Sequence, residues 1–412
     1  MARFSPTRFP PGFFDLPPDA GQALPLDLIA SWIRSPQTPD AARLLLGPCT
    51  LRGIVVCSDA AGLTRLSHER SLIELMALVS RPKELVHAYG RAIGGTAIGI
   101  WAADNTAMFY PDGISPDHVV SMLLTLVDRI REECEVGIGL AVHLGEFYEL
   151  GSGLHGSNAD RVEDLAEEHT EAGEILITGD LRRALGETAS FEFEPVPRLV
   201  PSFGEIYRVL DGVRFEGIEP SEFRYPLPFP EEFYDGLTQF QRTRRTSVVP
   251  RPAFRDGVVV VVEREREDRD QPEVASLNDL ALAAAITRVG GTLLEEGDGL
   301  EVKSTGGPSI YYFDDPRKAV KFARELREFF AAQEIRLSIG IDMGHVLLFE
   351  LGAGRHDVAG SPVNVASKLA HEVGQLGSIT LTWAAARAAG LPDITAVESL
   401  AASGLTIEAV RT

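Results

Sequence analysis

Four short segments from the first half of the chain return, in the same order, about 200 residues later. Gly53-Ile-Val-Val-Cys-Ser-Asp59 is matched by Gly257-Val-Val-Val-Val-Val-Glu263, and Ile93-Gly-Gly-Thr96 by Val289-Gly-Gly-Thr292. Ala141-Val-His-Leu-Gly145 is matched by Gly340-Ile-Asp-Met-Gly344, and Gly173-Glu-Ile-Leu-Ile-Thr178 by Gly377-Ser-Ile-Thr-Leu-Thr382. A period this long is far beyond any solenoid repeat and fits a duplicated domain. Identity between the copies is weak, so the duplication is old, yet the order of segments is kept.

Each block reads as strand, helix pair, hairpin, helix, strand, helix, strand. The strands are short β-branched runs and the helices carry 3.6-residue spacing, most plainly over Ala319–Phe330. That order predicts an α+β plan with a ferredoxin-like core in each block. The expected layout is an N-terminal extension over 1–50, a first domain over 51–211, a linker over 212–255 and a second domain over 256–412. The extension holds Pro10, Pro11, Pro17 and Pro18, then one short amphipathic helix near Leu26–Ile33 with Pro25 at its start. The linker is rich in Pro and aromatics (Tyr225-Pro-Leu-Pro-Phe-Pro230) and reads as an extended segment pinned down by its Phe and Tyr side chains.

Composition narrows the function. With 412 residues and 44% hydrophobic residues, both blocks can bury a core. A net charge of −21 opposes binding to nucleic acid or an anionic membrane surface, and Arg242-Thr-Arg-Arg245 is too short a basic run to reverse it. Three cysteines without a CxxC spacing argue against a zinc site or a disulfide framework. No window approaches the roughly 18 apolar residues of a membrane helix. The expectation is a soluble cytoplasmic protein that contacts neither nucleic acid nor membrane.

Several motifs resemble those of the class III adenylyl/guanylyl cyclase catalytic domains. Ser58-Asp-Ala-Ala-Gly-Leu-Thr64 resembles the family's first metal motif, with Leu63 in place of the usual Phe, and Ala103-Asp-Asn105 resembles the second. In the second block, Asp357-Val-Ala-Gly-Ser-Pro-Val-Asn-Val-Ala-Ser-Lys-Leu369 resembles the base and transition-state segment. Val302-Lys-Ser-Thr-Gly-Gly-Pro308 resembles the hairpin lysine motif. The resemblance implies two cyclase-type domains packed head-to-tail as an internal pseudo-heterodimer, with ATP converted to cyclic AMP and pyrophosphate. Asp59 and Asp104 would hold two Mg²⁺ or Mn²⁺ ions that bridge nucleophile, phosphorus and leaving group. Backbone N–H groups of Ala60, Ala61, Gly62, Leu63 and Thr64 would face phosphate. Lys303 and Asp357 would read adenine, and Asn364 and Lys368, one helical turn apart, would orient the ribose and steady developing charge.

The two blocks divide this set. The first has both metal-type carboxylates but Ile100 at the lysine position, with Glu163 and Glu167 near the Asn/Arg positions. The second has the base and ribose set but Glu263 and Gly307 at the metal positions. One composite site is nearly complete and the other is ruined. Departures remain. Lys368 stands where the family has Arg and loses the planar fork; loss of one such stabilising group costs about 3–4 kcal/mol elsewhere. Gly139 stands where a phosphate-binding Arg is expected, and no match to the family's C-terminal phosphate Lys is evident. Glu295-Glu-Gly-Asp-Gly-Leu-Glu301 is an insertion whose Gly-Asp-Gly reads as a hairpin turn. Two functions therefore stay open: an adenylate cyclase (a phosphorus–oxygen lyase), or a pseudo-cyclase that binds a nucleotide or a protein. A regulatory protein partner for the extension or the linker is an open expectation.

Overall fold

A computed structural model describes residues 8–10, 12–14, 24–60, 66, 70–101, 105–150, 153–185, 190–217, 224–245, 253–264, 271–297, 299–303, 308–352, 355–391, 397–402 and 405–412. The chain divides into two units. The first is Pro48–Pro250, and the second joins Met1–Gly47 to Arg251–Thr412.

The chain opens with α1 (Leu26–Arg34) and α2 (Pro39–Leu46), both of which belong to the second unit. The first unit then runs β1 (Thr50–Ala60), α3 (Leu72–Ala92), β2 (Thr96–Ala97), β3 (Thr106–Pro111), α4 (Pro116–Glu133), β4 (Ile138–Leu150) and β5 (Gly153–His155). It continues through α5 (Ser157–His169), β6 (Ile175–Thr178), α6 (Gly179–Leu185), β7 (Phe191–Pro195), α7 (Val200–Phe203), β8 (Ile206–Gly212) and α8 (Glu231–Thr243). The second unit repeats the order with β9 (Ala253–Arg264), α9 (Pro272–Gly297), β10 (Leu300–Lys303), β11 (Ser309–Phe313), α10 (Pro316–Ala332), β12 (Leu337–Gly352) and β13 (Arg355–Ala359). It closes with α11 (Ser361–His371), β14 (Ile379–Thr382), α12 (Trp383–Ala388), β15 (Glu398–Ala402) and β16 (Leu405–Arg411).

The two sheets have one topology. The strand orders are β2-β3-β1-β4-β6-β8-β7, with β5 on β4, and β10-β11-β9-β12-β14-β16-β15, with β13 on β12. The first four strands of each form the antiparallel βαββαβ core. A crossover through α5 or α11 then adds a strand parallel to β4 or β12. The central strand is buried from Gly53 to Ser58 in one sheet and over Val258–Val262 in the other. β-branched residues suit a strand packed on both faces. Register is shared as well: Gly53 pairs with Gly145, and Gly257 with Gly344. A Cβ on Gly53 would meet Tyr110 O at 2.2 Å, and one on Gly257 the Tyr312 ring at 2.2 Å, so both positions exclude side chains.

Two local expectations change. Between central strand and hairpin the long described helices are α3, of 21 residues, and α9, of 26, and Leu66 ahead of α3 is also helical. Residues 61–65 and 67–69 lie outside the described set. The supposed hairpin turn at 297–299 is in part the last turn of α9, which ends at Gly297, while β10 begins at Leu300; Asp298 is not described. The segment read as extended contains α8. Phe233, Tyr234, Leu237 and Phe240 bury one stripe of that helix at i, i+3/i+4 spacing, and Pro230 stands at its N-cap.

Accessory segments complete each core. In the second unit the Trp32 indole is fully buried and donates to Asn278 Oδ1 at 2.8 Å, tying α1 to α9. Phe9 and Phe13 join Phe329 and Phe330 of α10. In the first unit Tyr234 donates to the buried Glu84 at 2.9 Å, and Gln241 Nε2 to Ala77 O at 2.6 Å, tying α8 to α3.

Candidate active site

Asp59 is the penultimate residue of β1 and is half-buried, with Gly139 of β4 as its cross-strand partner. A buried hydroxyl pair, Ser58 Oγ and Thr106 Oγ1 at 2.6 Å, ties β1 to β3 immediately before it. Ala60 ends the strand and is buried. Ala61, Gly62, Leu63, Thr64 and Asp104 lie outside the described residues, as does Gly307 of the second unit. Trp101 and Asn105 bracket the Asp104 segment. Trp101 is buried, and Asn105 donates to Glu167 of α5.

The Gly139 position explains the absent phosphate arginine. A Cβ there would stand 2.0 Å from Thr170 Oγ1, a hydroxyl committed to Ala166 O at 2.6 Å. The space for a longer side chain is filled by the end of α5 and the residues after it.

In the second unit Lys303 is the last residue of β10, and its backbone pairs with Ile310 beyond a register irregularity at Glu301. Burial pushes the Glu301 carboxyl up to about 7. β10 packs beside β13, which carries Asp357 opposite Phe349 of β12, so the two base-type residues sit on neighbouring strands. Asp357 Oδ1 accepts from Val358 N at 2.8 Å. Gly360, at φ 140°, turns the chain from β13 into α11. Asn364 is exposed on α11, and Lys368, one turn on, donates to Glu372 Oε1 at 3.0 Å. The stand-in for the arginine therefore already has an anionic partner on its own helix.

Equivalent positions can now be read from the shared register. Gly156 (φ 103°) and Gly360 cap α5 and α11, and Val162, Leu165 and Ala166 are buried as Ala366, Leu369 and Ala370 are. That registration sets Asp160 and Asp164 at the positions of Asn364 and Lys368, three residues ahead of the Glu163 and Glu167 that sequence suggested. Glu163 and Glu167 are exposed on α5; burial, with their negative charge, raises the Cys57 thiol of β1 well above its usual range. Glu263 takes the Asp59 position, paired with Ser338.

A second equivalence went unread in the sequence. His143 and Asp342 occupy one position of the two sheets, paired with Val55 and Val259. His143 Nδ1 lies 2.9 Å from Thr178 Oγ1, and Thr382 Oγ1 donates to Asp342 at 2.6 Å. Burial, aided by Arg161, holds the imidazole down at about 4, and burial lifts the Asp342 carboxyl to about 6. The repeat alignment already contained the signal, since it set a His against an Asp on a buried strand.

Among the described residues no group of three or more His, Cys, Asp or Glu side chains gathers as a metal cage. A two-ion site that draws on two strand-end carboxylates and on substrate phosphates does not need such a cage. A cavity of about 400 Å³ lies between α3 and α8, lined in part by Arg81, Arg224 and Arg242. Glu84 and Glu133 engage Arg81, and Glu231 and Asp235 engage Arg224, so it is no ready triphosphate pocket.

No family model matches the chain, and no curated protein matches it in sequence. Solved structures do match. A class III adenylyl cyclase-like ATP-binding protein from Pseudomonas aeruginosa aligns over 82% of this chain and 85% of its own, at 12% identity and a TM-score of 0.49. In fold, the chain resembles the class III nucleotide cyclases. The adenylyl cyclase CyaB from P. aeruginosa aligns with 41% of this chain and 99% of its own, at 20% identity and a TM-score of 0.35. The guanylate cyclase domain of RhGC from Catenaria anguillulae, solved with GTP, aligns with 40% of this chain and 98% of its own, at 17% identity and a TM-score of 0.34. Among the described residues no helix is long and apolar enough to cross a membrane.

Proposed function

We propose that the protein is a nucleotide cyclase that converts ATP to cyclic AMP and pyrophosphate at one composite site. The observation that carries the reading is the complementarity of the two units at equivalent positions. Where the first has the pair Asp59 and Asp104 the second has Glu263 and Gly307, which leaves it without two carboxylates, and where the second has Asn364 and Lys368 the first has Asp160 and Asp164. Undirected decay has no reason to sort the losses so that each half lacks what the other keeps.

In this reading Asp59 and Asp104 hold Mg²⁺ or Mn²⁺, which when bound neutralise the triphosphate and favour pyrophosphate departure. Lys303 donates to the purine edge and Asp357 accepts from it, which favours adenine over guanine. Asn364 orients the ribose, and Lys368 leaves Glu372 to meet charge developing on the phosphate. Backbone N–H groups from Ala60 to Thr64 contact phosphate.

Purified protein incubated with ATP and Mn²⁺ is the test. Cyclic AMP above the background of the Asp59→Ala variant supports the assignment, and no product above that background overturns it. A second reading, a nucleotide-binding pseudo-cyclase, draws on the filled Gly139 position and the Lys368–Glu372 pair. Calorimetry separates the two, since that reading requires ATP binding with no turnover.

A further inference from the structure

The segment that joins the two cyclase-like cores does more than connect them. Residues 224–243 lie against the first unit, and one attachment is at Trp101, three residues ahead of Asp104 in the sequence. The Trp101 backbone N–H donates to Pro226 O at 3.1 Å. Its carbonyl accepts from Lys83 Nζ of α3 at 3.0 Å. Its indole donates to Ile98 O at 3.1 Å, stacks on Tyr225 at 5.9 Å and 15°, and meets the His87 ring edge-on. Both backbone groups and both sides of this buried residue are therefore held.

Tyr225 is the keystone of that arrangement. It is buried, shares a hydrogen bond with Ser80 Oγ at 3.1 Å and packs edge-on against Tyr234 of α8, which itself donates to Glu84. Its ring also stands 5.3 Å from the Lys83 ammonium. A lysine this buried is costly unless its charge is met. The Tyr225 ring, from the joining segment, and the Trp101 carbonyl are among the groups that meet it.

We infer that Tyr225 and Pro226 are positioning residues. The joining segment fixes the backbone at Trp101, which stands three residues before Asp104 in the sequence. The inference rests on the proposed metal role of Asp104, and it makes residues 224–243 part of the first unit's metal-binding apparatus.

The test uses the full chain with Tyr225→Ala and Tyr225→Phe. One readout is hydrogen exchange of the Ile98–Thr106 amides; the other is Mn²⁺ affinity by electron paramagnetic resonance with a non-cyclisable ATP analogue. Tyr225→Ala is expected to speed exchange at Trp101 by about tenfold or more, as a local opening would. It is expected to weaken Mn²⁺ binding by about fivefold or more, while analogue affinity at saturating Mn²⁺ stays within about twofold. Tyr225→Phe keeps the stack and the aromatic face and should restore both values. Unchanged exchange over 98–106, or faster exchange with unchanged Mn²⁺ affinity, overturns the inference. Neither readout needs turnover, so an unaltered chain that makes no cyclic AMP contradicts the cyclase assignment and leaves this test in force.

Discussion

At the scale of single residues the candidate site is set by what stands opposite and beside each group. An arginine cannot simply replace Gly139, because Thr170 fills its space. Lys368 is a different case: its ion pair with Glu372 is a single i,i+4 contact of small worth, and an arginine in its place would bring a planar fork to phosphate. Lys368→Arg should therefore raise kcat, by about tenfold on the scale of one stabilising contact, with the ATP KM nearly unchanged. Steady-state rates with ATP and Mn²⁺ check this, and a fall in kcat would contradict it. His143 and Asp342 give a second prediction with opposite signs in the two units. His143 stays neutral when folded, so its contribution is full above pH 6.5 and is lost as the pH falls towards about 4. Asp342 prefers its proton when folded, so its contribution is full below pH 3.8 and is lost as the pH rises through about 6. Asp342→Asn keeps an acceptor for Thr382 and removes the buried charge. Calorimetry should show a melting temperature raised by a few degrees at pH 8 and unmoved at pH 4; a fall at pH 8 would contradict the assignment.

At the scale of elements, each core depends on a segment from outside it. Trp32→Ala removes a fully buried indole and leaves Asn278 Oδ1 without that donor. A cost of about 3–5 kcal/mol is expected, read as a lower denaturant midpoint for the second unit, and a change below about 1 kcal/mol would contradict the packing. The central strands were legible in the sequence because runs such as Val258–Val262 have no other use than a buried strand. The duplicated order was legible for the same reason, since three of the four repeated segments are strand-like runs that kept their order. α8 and α2 were not read as helices. Their neighbourhoods are dense in Pro, which signals loops, while their helical stripes have a partner only in the folded unit. The site was legible where residues are contiguous, as from Asp357 to Lys368. It was not legible where the decisive neighbour is remote in sequence: Thr170 behind Gly139, or Tyr225 against Trp101.

At the scale of the whole molecule, two sheets of one topology have been kept while their sites diverged. The account predicts an asymmetry that a symmetric pair of domains would not show. Asp59 and Glu263 are equivalent by register, and so are Asn364 and Asp160. Only the first member of each pair belongs to the proposed site. The most direct test is the initial rate of cyclic AMP formation from ATP and Mn²⁺ by four single variants of the full chain. Asp59→Ala and Asn364→Ala should each lose about a hundredfold or more, whereas Glu263→Ala and Asp160→Ala should stay within about threefold of the parent. Equal losses at the two members of a pair, or a parent chain that forms no cyclic AMP, would contradict the account.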